Sequence, residues 1–160
     1  PSGVELIALA LPELSSLRLL NLSSTQACEG GAQALAAVLG AEIPQLHELW
    51  LTGNAIGNKG GAALAAVLPF QRHLTSLGLG YNQVTKDAAK AIAEAVHGLD
   101  SFCGMPISEL RQGRLPQMPP HRPNVRRPWF GPTEELHVQG HGCGVPGALL
   151  LAELIPTLRG

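Results

Sequence analysis

His137, His141 and Cys143 lie close together in this sequence, with His121 and Cys103 farther off. Imidazole and thiolate are ligands that zinc prefers, but a structural zinc site takes four of them at recognised spacings. H-x₃-H-x-C is not such a set, so the residues point to no metal and no cofactor. Nucleophilic and acid–base chemistry has less to stand on. The chain has no G-x-S-x-G, no phosphate-binding glycine loop and no H-E-x-x-H. Its acidic residues are scattered rather than paired on one face. The chain does not read as an enzyme, and no small-molecule substrate is expected. Cys28, Cys103 and Cys143 are odd in number and lack a C-x-x-C pair. That argues against a disulfide framework and for a reducing, cytoplasmic setting.

The elements that would position any site come from an internal repeat. Leu17, Leu46 and Leu74 each open the pattern L-x-x-L-x-L, the second 29 residues after the first and the third 28 after the second. In each opening the side chains alternate as in a strand. Leu49 and Leu51 share one face, while Glu48, Trp50 and Thr52 share the other. The closing half of each repeat has helical periodicity instead. Gly31, Ala32, Leu35, Ala36 and Leu39 form one stripe. Gly60, Gly61, Leu64, Ala65 and Leu68 form the second, and Ala88, Ala89, Ile92, Ala93 and Val96 the third. Small residues at the start of each stripe would let a helix approach its strand closely. Between strand and helix stand Asn54 and Asn82, with Thr25 at the same place in the first repeat. A side-chain amide there can satisfy backbone groups of neighbouring turns. Thr85 and Asp87 read as a cap and first-turn acid of the third helix.

Partial repeats flank these three. Gly3, Leu6, Ile7 and Ala10 suggest a helix over residues 1–11 whose strand is absent. Downstream, Leu136 and Val138 fall at strand positions, and His141 replaces the asparagine. Gly147, Ala148, Leu151, Ala152 and Ile155 continue the helix stripe. The start at Pro1, without Met, suggests a fragment of a longer product.

The pattern L-x-x-L-x-L-x-x-N-x-[IV]…G-A-x-x-L-A-x-x-L resembles the ribonuclease-inhibitor-like class of leucine-rich repeats. That class also supplies the arrays of NOD-like receptors and Ran GTPase-activating proteins. The resemblance implies an α/β fold, a curved right-handed βα solenoid with a parallel sheet on its concave side and helices outside. It also implies that a protein partner is held on that concave side. A GTPase-activating protein, or a structural or sensor array of a longer NOD-like receptor, are the alternatives it offers. Residues 1–98 would carry a partial repeat and three full ones, 99–132 an irregular segment in place of a repeat, and 133–160 a final repeat.

Residues 99–132 break the pattern. Phe102, Met105 and Ile107 stand one period after Leu74, Leu77 and Leu79 and suggest a fourth strand, but no helix stripe follows. Arg111, Arg114, Arg122, Arg126 and Arg127 come next, among prolines that exclude regular helix or central strand. An irregular loop with solvated arginines is the favoured reading. Pro116-Gln117-Met118-Pro119 is a P-x-x-P lacking its flanking basic residue, so a docking peptide is a weaker one. Nucleic acid is disfavoured: no known binding module is present, and the formal net charge is −1.

Apolar residues are 45% of the 160, enough for a core, while aromatic residues are only 4%. The core must therefore be aliphatic. The longest apolar run, near Ala148 to Leu151, is too short to cross a bilayer. Among the outward-facing strand residues Trp50 stands out, because exposed tryptophan is enriched at binding hot spots. Its bland alternative is that it covers Gly78 one repeat on. Tyr81, Glu48, Asn21, Thr52 and Gln83 complete the candidate patch. Bare repeat ends also predict self-association.

Overall fold

The computed structural model describes residues 3–41, 46–112 and 144–154. Strands and helices alternate: α1 (Gly3–Ala10), β1 (Leu19–Asn21), α2 (Cys28–Gly40), β2 (Glu48–Trp50), α3 (Gly57–Val67), β3 (Ser76–Gly78) and α4 (Lys86–Ala95). Then come β4 (Ser101–Phe102), β5 (Met105–Pro106), α5 (Ile107–Arg111) and α6 (Gly144–Leu154). The strands form one five-stranded sheet in chain order. The first four run parallel, and β5 returns antiparallel to β4.

The repeat sets the sheet register. Leu20, Leu49, Leu77 and Phe102 lie side by side across the strands. Leu49, Leu77 and Phe102 are fully buried and join one core with the helix stripes, from Leu35 and Leu39 through Leu64 to Ile92 and Val96. Helices thus cover one face of the sheet. The other face, carrying Glu48 and Trp50, stays partly open.

Small residues act between helices rather than between a helix and its own strand. A Cβ on Gly60 would lie 2.7 Å from Cβ of Ala32 in α2, and one on Gly61 would lie 3.3 Å from Cδ1 of Ile92 in α4. On Gly31 it would come within 3.1 Å of Val4 in α1. Each helix touches the one before and the one after through these positions.

Four expectations need correction. In α1 the buried residues are Val4 and Ala8, continued by Leu11, while Gly3, Leu6, Ile7 and Ala10 are exposed. Val4, Ala8 and Leu11 stand 28 residues before Ala32, Ala36 and Leu39. The packing keeps that step, and the expected stripe was one residue out. A shift of one residue in the other direction occurs in α6, where Pro146, Gly147 and Leu150 are buried and Ala148 and Ala152 exposed. The fourth strand exists, but Phe102 rather than Met105 sits opposite Leu77. Only three residues separate Val96 from Leu99, against six between Leu68 and Leu74, so the strand arrives early. Cys103 and Gly104 then take positive φ and turn the chain back into β5. Finally, Thr85 has the extended backbone of a cap, but its hydroxyl makes no capping bond. Its N–H instead donates to Asn58 Oδ1 at 2.6 Å.

Helix α6 packs directly on α4, in the next place along the helix layer. Leu136, Val138, His141 and the arginine–proline stretch from 113 onward lie outside the described residues. No described helix is long and apolar enough to cross a membrane.

Candidate protein-binding face

The open face is built by alternation along each short strand. Leu19, Glu48 and Ser76 form one row across β1, β2 and β3; Asn21, Trp50 and Gly78 form the next. Gly78 is what seats the tryptophan. A Cβ there would fall against Cε3 of the Trp50 ring and 2.9 Å from Cζ3. The indole therefore sits close against the neighbouring backbone, where a side chain on residue 78 would displace it. Its N–H donates to Oε2 of Glu48 at 3.1 Å. Two contacts thus hold a half-buried aromatic ring, one with the Gly78 backbone and one through its N–H.

The other candidate residues divide into two places. Asn21 lies beside Trp50, and its Oδ1 accepts the N–H of Ser23 at 3.0 Å. Thr52 follows β2, half-buried, and its carbonyl accepts the N–H of Ser24 at 2.8 Å. Tyr81 and Gln83 are not on the strands. They occupy the turn after β3, exposed and with left-handed backbones (φ 56° and 51°). One residue escaped the sequence reasoning. Leu19 is 50% exposed in the row with Glu48. Its signal was present: Leu17, Leu20 and Leu22 take the three motif positions, so Leu19 is a leucine out of frame. The rings of His47 and His73, just before β2 and β3, lie 6.0 Å apart and tilted.

Beneath the rim runs a ladder of side-chain amides. Asn54 Oδ1 accepts the N–H groups of Thr25 (2.9 Å) and Ala27 (3.2 Å), one repeat upstream. Its amide donates to the carbonyls of Leu22 (2.7 Å) and Leu51 (3.0 Å). Asn82 repeats the arrangement toward Asn54 and Ile56, and toward Leu51, Leu79 and Gly80. Thr25 directs its hydroxyl to the Leu22 carbonyl (2.7 Å) and to Asn54 Oδ1 (3.2 Å), and serves no upstream turn among the described residues. These bonds satisfy loop groups that burial would otherwise strand.

Of the residues that suggested a metal, His121, His137, His141 and Cys143 lie outside the described residues. Among the described residues, no three His, Cys, Asp or Glu side chains form a group that could hold one. Cys103 is disulfide-bonded, contrary to the expectation of free thiols throughout; Cys28 is free and exposed.

A leucine-rich repeat family model matches residues 44–65 and 70–93, which include β2, β3 and most of α3 and α4. Together with the shared register, this identifies the matched stretches as leucine-rich repeats. Among relatives, protein NLRC5 of Mus musculus is 34% identical over 83 residues, 52% of this chain but only 4% of that protein. Among solved structures, actin-binding site 2 of leiomodin-1 superposes with a TM-score of 0.56 at 17% identity, covering 64% of this chain and 61% of that one. That likeness concerns the fold alone.

Proposed function

We propose that the chain is a protein-binding scaffold whose partner sits on the helix-free face of the sheet, around Trp50. In this reading the repeats belong to the ribonuclease-inhibitor-like class and continue as a curved right-handed solenoid, with this face concave. Residues 1–98 hold one partial and three full repeats, 99–132 stand in place of a repeat, and 133–160 hold a last one. The observation that carries the proposal is the fixed indole on Gly78 and Glu48. A ring already ordered loses little freedom when a partner covers it. Leu19, Asn21 and Thr52 extend the surface along the strands, and Tyr81 and Gln83 bound it at the rim. The similarity to NLRC5 supports a second form of the same reading, in which the scaffold is part of the sensor array of a longer NOD-like receptor.

The test is affinity capture from native lysate with the wild-type chain beside a Trp50→Ala/Tyr81→Ala variant of confirmed fold. A partner held by the wild type and lost by the variant is the expected result. Equal capture by both would remove this face from consideration. The proposed setting is cytoplasmic, which fractionation of cells expressing the tagged chain tests; recovery from a secretory compartment, where a disulfide at Cys103 would persist, would overturn it.

A further inference from the structure

One residue sets the charge of the open sheet face. The outward residues of the described parallel strands are Leu19, Asn21, Glu48, Trp50, Ser76, Gly78 and Ser101. Glu48 is the only acidic or basic residue among them. It stands on β2, with Leu19 of β1 and Ser76 of β3 in register on either side. Glu48, Trp50 and Ser76 are half-buried, Asn21 is exposed and Leu19 is 50% exposed, so this part of the face is open to a partner. No ion pair joins Glu48 to another described residue.

Three kinds of surface meet at this point. The indole N–H of Trp50 occupies Oε2 of Glu48 at 3.1 Å, which leaves the second oxygen for another donor. The ring rests against the Gly78 backbone, and the rest of it reaches water. Leu19 adds an apolar side chain in the row of Glu48. Arginine is the side chain that uses all three together. Its guanidinium donates in its plane to a carboxylate and stacks on an aromatic ring, and indole attracts a cation best among the aromatic side chains. Its methylene stem covers apolar surface. A neutral anchor in the same place would cover the Glu48 carboxylate without a counter-charge, and an acidic one would repel it.

We propose that Trp50 and Glu48 form the seat for an arginine side chain of the protein partner, with its stem on Leu19. The proposal rests on the reading of this face as the protein-binding surface, and it makes the partner's central anchor basic.

The test is a titration of the ¹⁵N-labelled full chain with N-acetyl-arginine-methylamide, beside its uncharged isostere N-acetyl-citrulline-methylamide, with sodium chloride holding ionic strength constant. The reporter is the Trp50 indole resonance, told apart from that of Trp129 by a Trp129→Phe variant. The arginine compound should move it to saturation and the citrulline compound should not. Glu48→Gln keeps an oxygen for the indole N–H and removes only the charge, so it should weaken arginine binding about fivefold. No movement, an equal response to citrulline, or unchanged affinity in Glu48→Gln would overturn the seat. Movement of the resonance on replacing Arg126 and Arg127 by glutamine, with none on adding the arginine compound, would make the occupant the chain's own and refute the partner assignment. Capture from lysate separates this proposal from the reading beneath it. A partner lost by both the Trp50→Ala/Tyr81→Ala variant and Glu48→Gln is expected. A partner lost by the first and kept by Glu48→Gln would leave the binding face standing and remove the basic anchor alone, whereas one kept by both would remove the face and the anchor with it.

Discussion

Asn82 Oδ1 accepts the backbone N–H of Asn54 at 2.8 Å, so the asparagine of one repeat fixes the turn of the repeat before it. Asn54 does the same for Thr25 and Ala27. Cohesion between repeats in the loop layer therefore combines backbone bonds between turns with side chains that point upstream. The core layer works differently, through stacked leucines and small residues.

Asn54→Ala should be among the most damaging single changes outside the core. It strands the N–H groups of Thr25 and Ala27 and removes one of the two donors to the carbonyl of Leu22, at a position 1% exposed. Each buried orphan costs about 1–3 kcal/mol, and partial relaxation brings the expected total to about 3–5 kcal/mol. Thr25→Ala, which loses the hydroxyl's bond to the Leu22 carbonyl and its longer contact with Asn54 Oδ1, should cost about 1 kcal/mol. Urea unfolding of the two variants decides it, and equal losses would contradict the ladder.

Gly78→Ala should disturb Trp50 more than its own strand. The new methyl occupies the space under the indole, and overpacking of this kind costs about 1–3 kcal/mol. With Trp129 replaced by Phe, Trp50 becomes the sole tryptophan, and its emission should shift red as the ring leaves its seat. Adding Trp50→Ala should relieve the cost. A double variant no more stable than Gly78→Ala would show that the strain lies elsewhere.

Helical glycines should separate by location. Gly60→Ala places a methyl 2.7 Å from Ala32 Cβ and against Ile56. The gain of about 1 kcal/mol in helix propensity should then be outweighed by an overpacking cost of about 1–3 kcal/mol. At Gly40 the nearest atom, Val67 Cγ1, would be 3.4 Å away. Gly40→Ala should therefore stabilise, by up to about 1 kcal/mol. Opposite signs in thermal melts are expected; stabilisation by both would mean that the α2–α3 contact yields easily.

The outer side of α1 should drive self-association. Leu6 is 56% and Leu9 75% exposed, with Ile7, Leu14 and Leu19 also open to water. Contiguous apolar surface of this kind marks an association site or an aggregation liability. Leu9→Lys should lower the sedimentation coefficient at high concentration and leave stability within about 0.5 kcal/mol. A wild-type chain that stays monomeric over the same range would refute this.

Much of the fold was legible because it repeats. The stripe ending at Leu39, Leu68 and Val96 is one helix surface read three times, and agreement among copies identified strand, turn and helix. The tryptophan's neighbour was legible too, since a glycine one period on leaves room for a ring. Legibility failed where copies ran out. Leu6 and Ala148 were each placed one residue from their true phase, because a lone helix rich in leucine and alanine offers two apolar stripes. Only the contact with α2, or with α4, selects between them. Leu19 was overlooked because a leucine inside a leucine motif carries no contrast.

The sequence by itself determined the period, the alternation of Leu49 and Leu51 against Glu48 and Trp50, and the recurrence of a side-chain amide at the turns. These are local patterns, set by the two-residue repeat of a strand and the 3.6-residue repeat of a helix. Only the tertiary structure decided that Phe102 faces Leu77, that the chain reverses at Cys103, and that each asparagine of the ladder serves the turn upstream of it. Those outcomes depend on which backbone groups of distant residues meet across the sheet, and no local pattern records that.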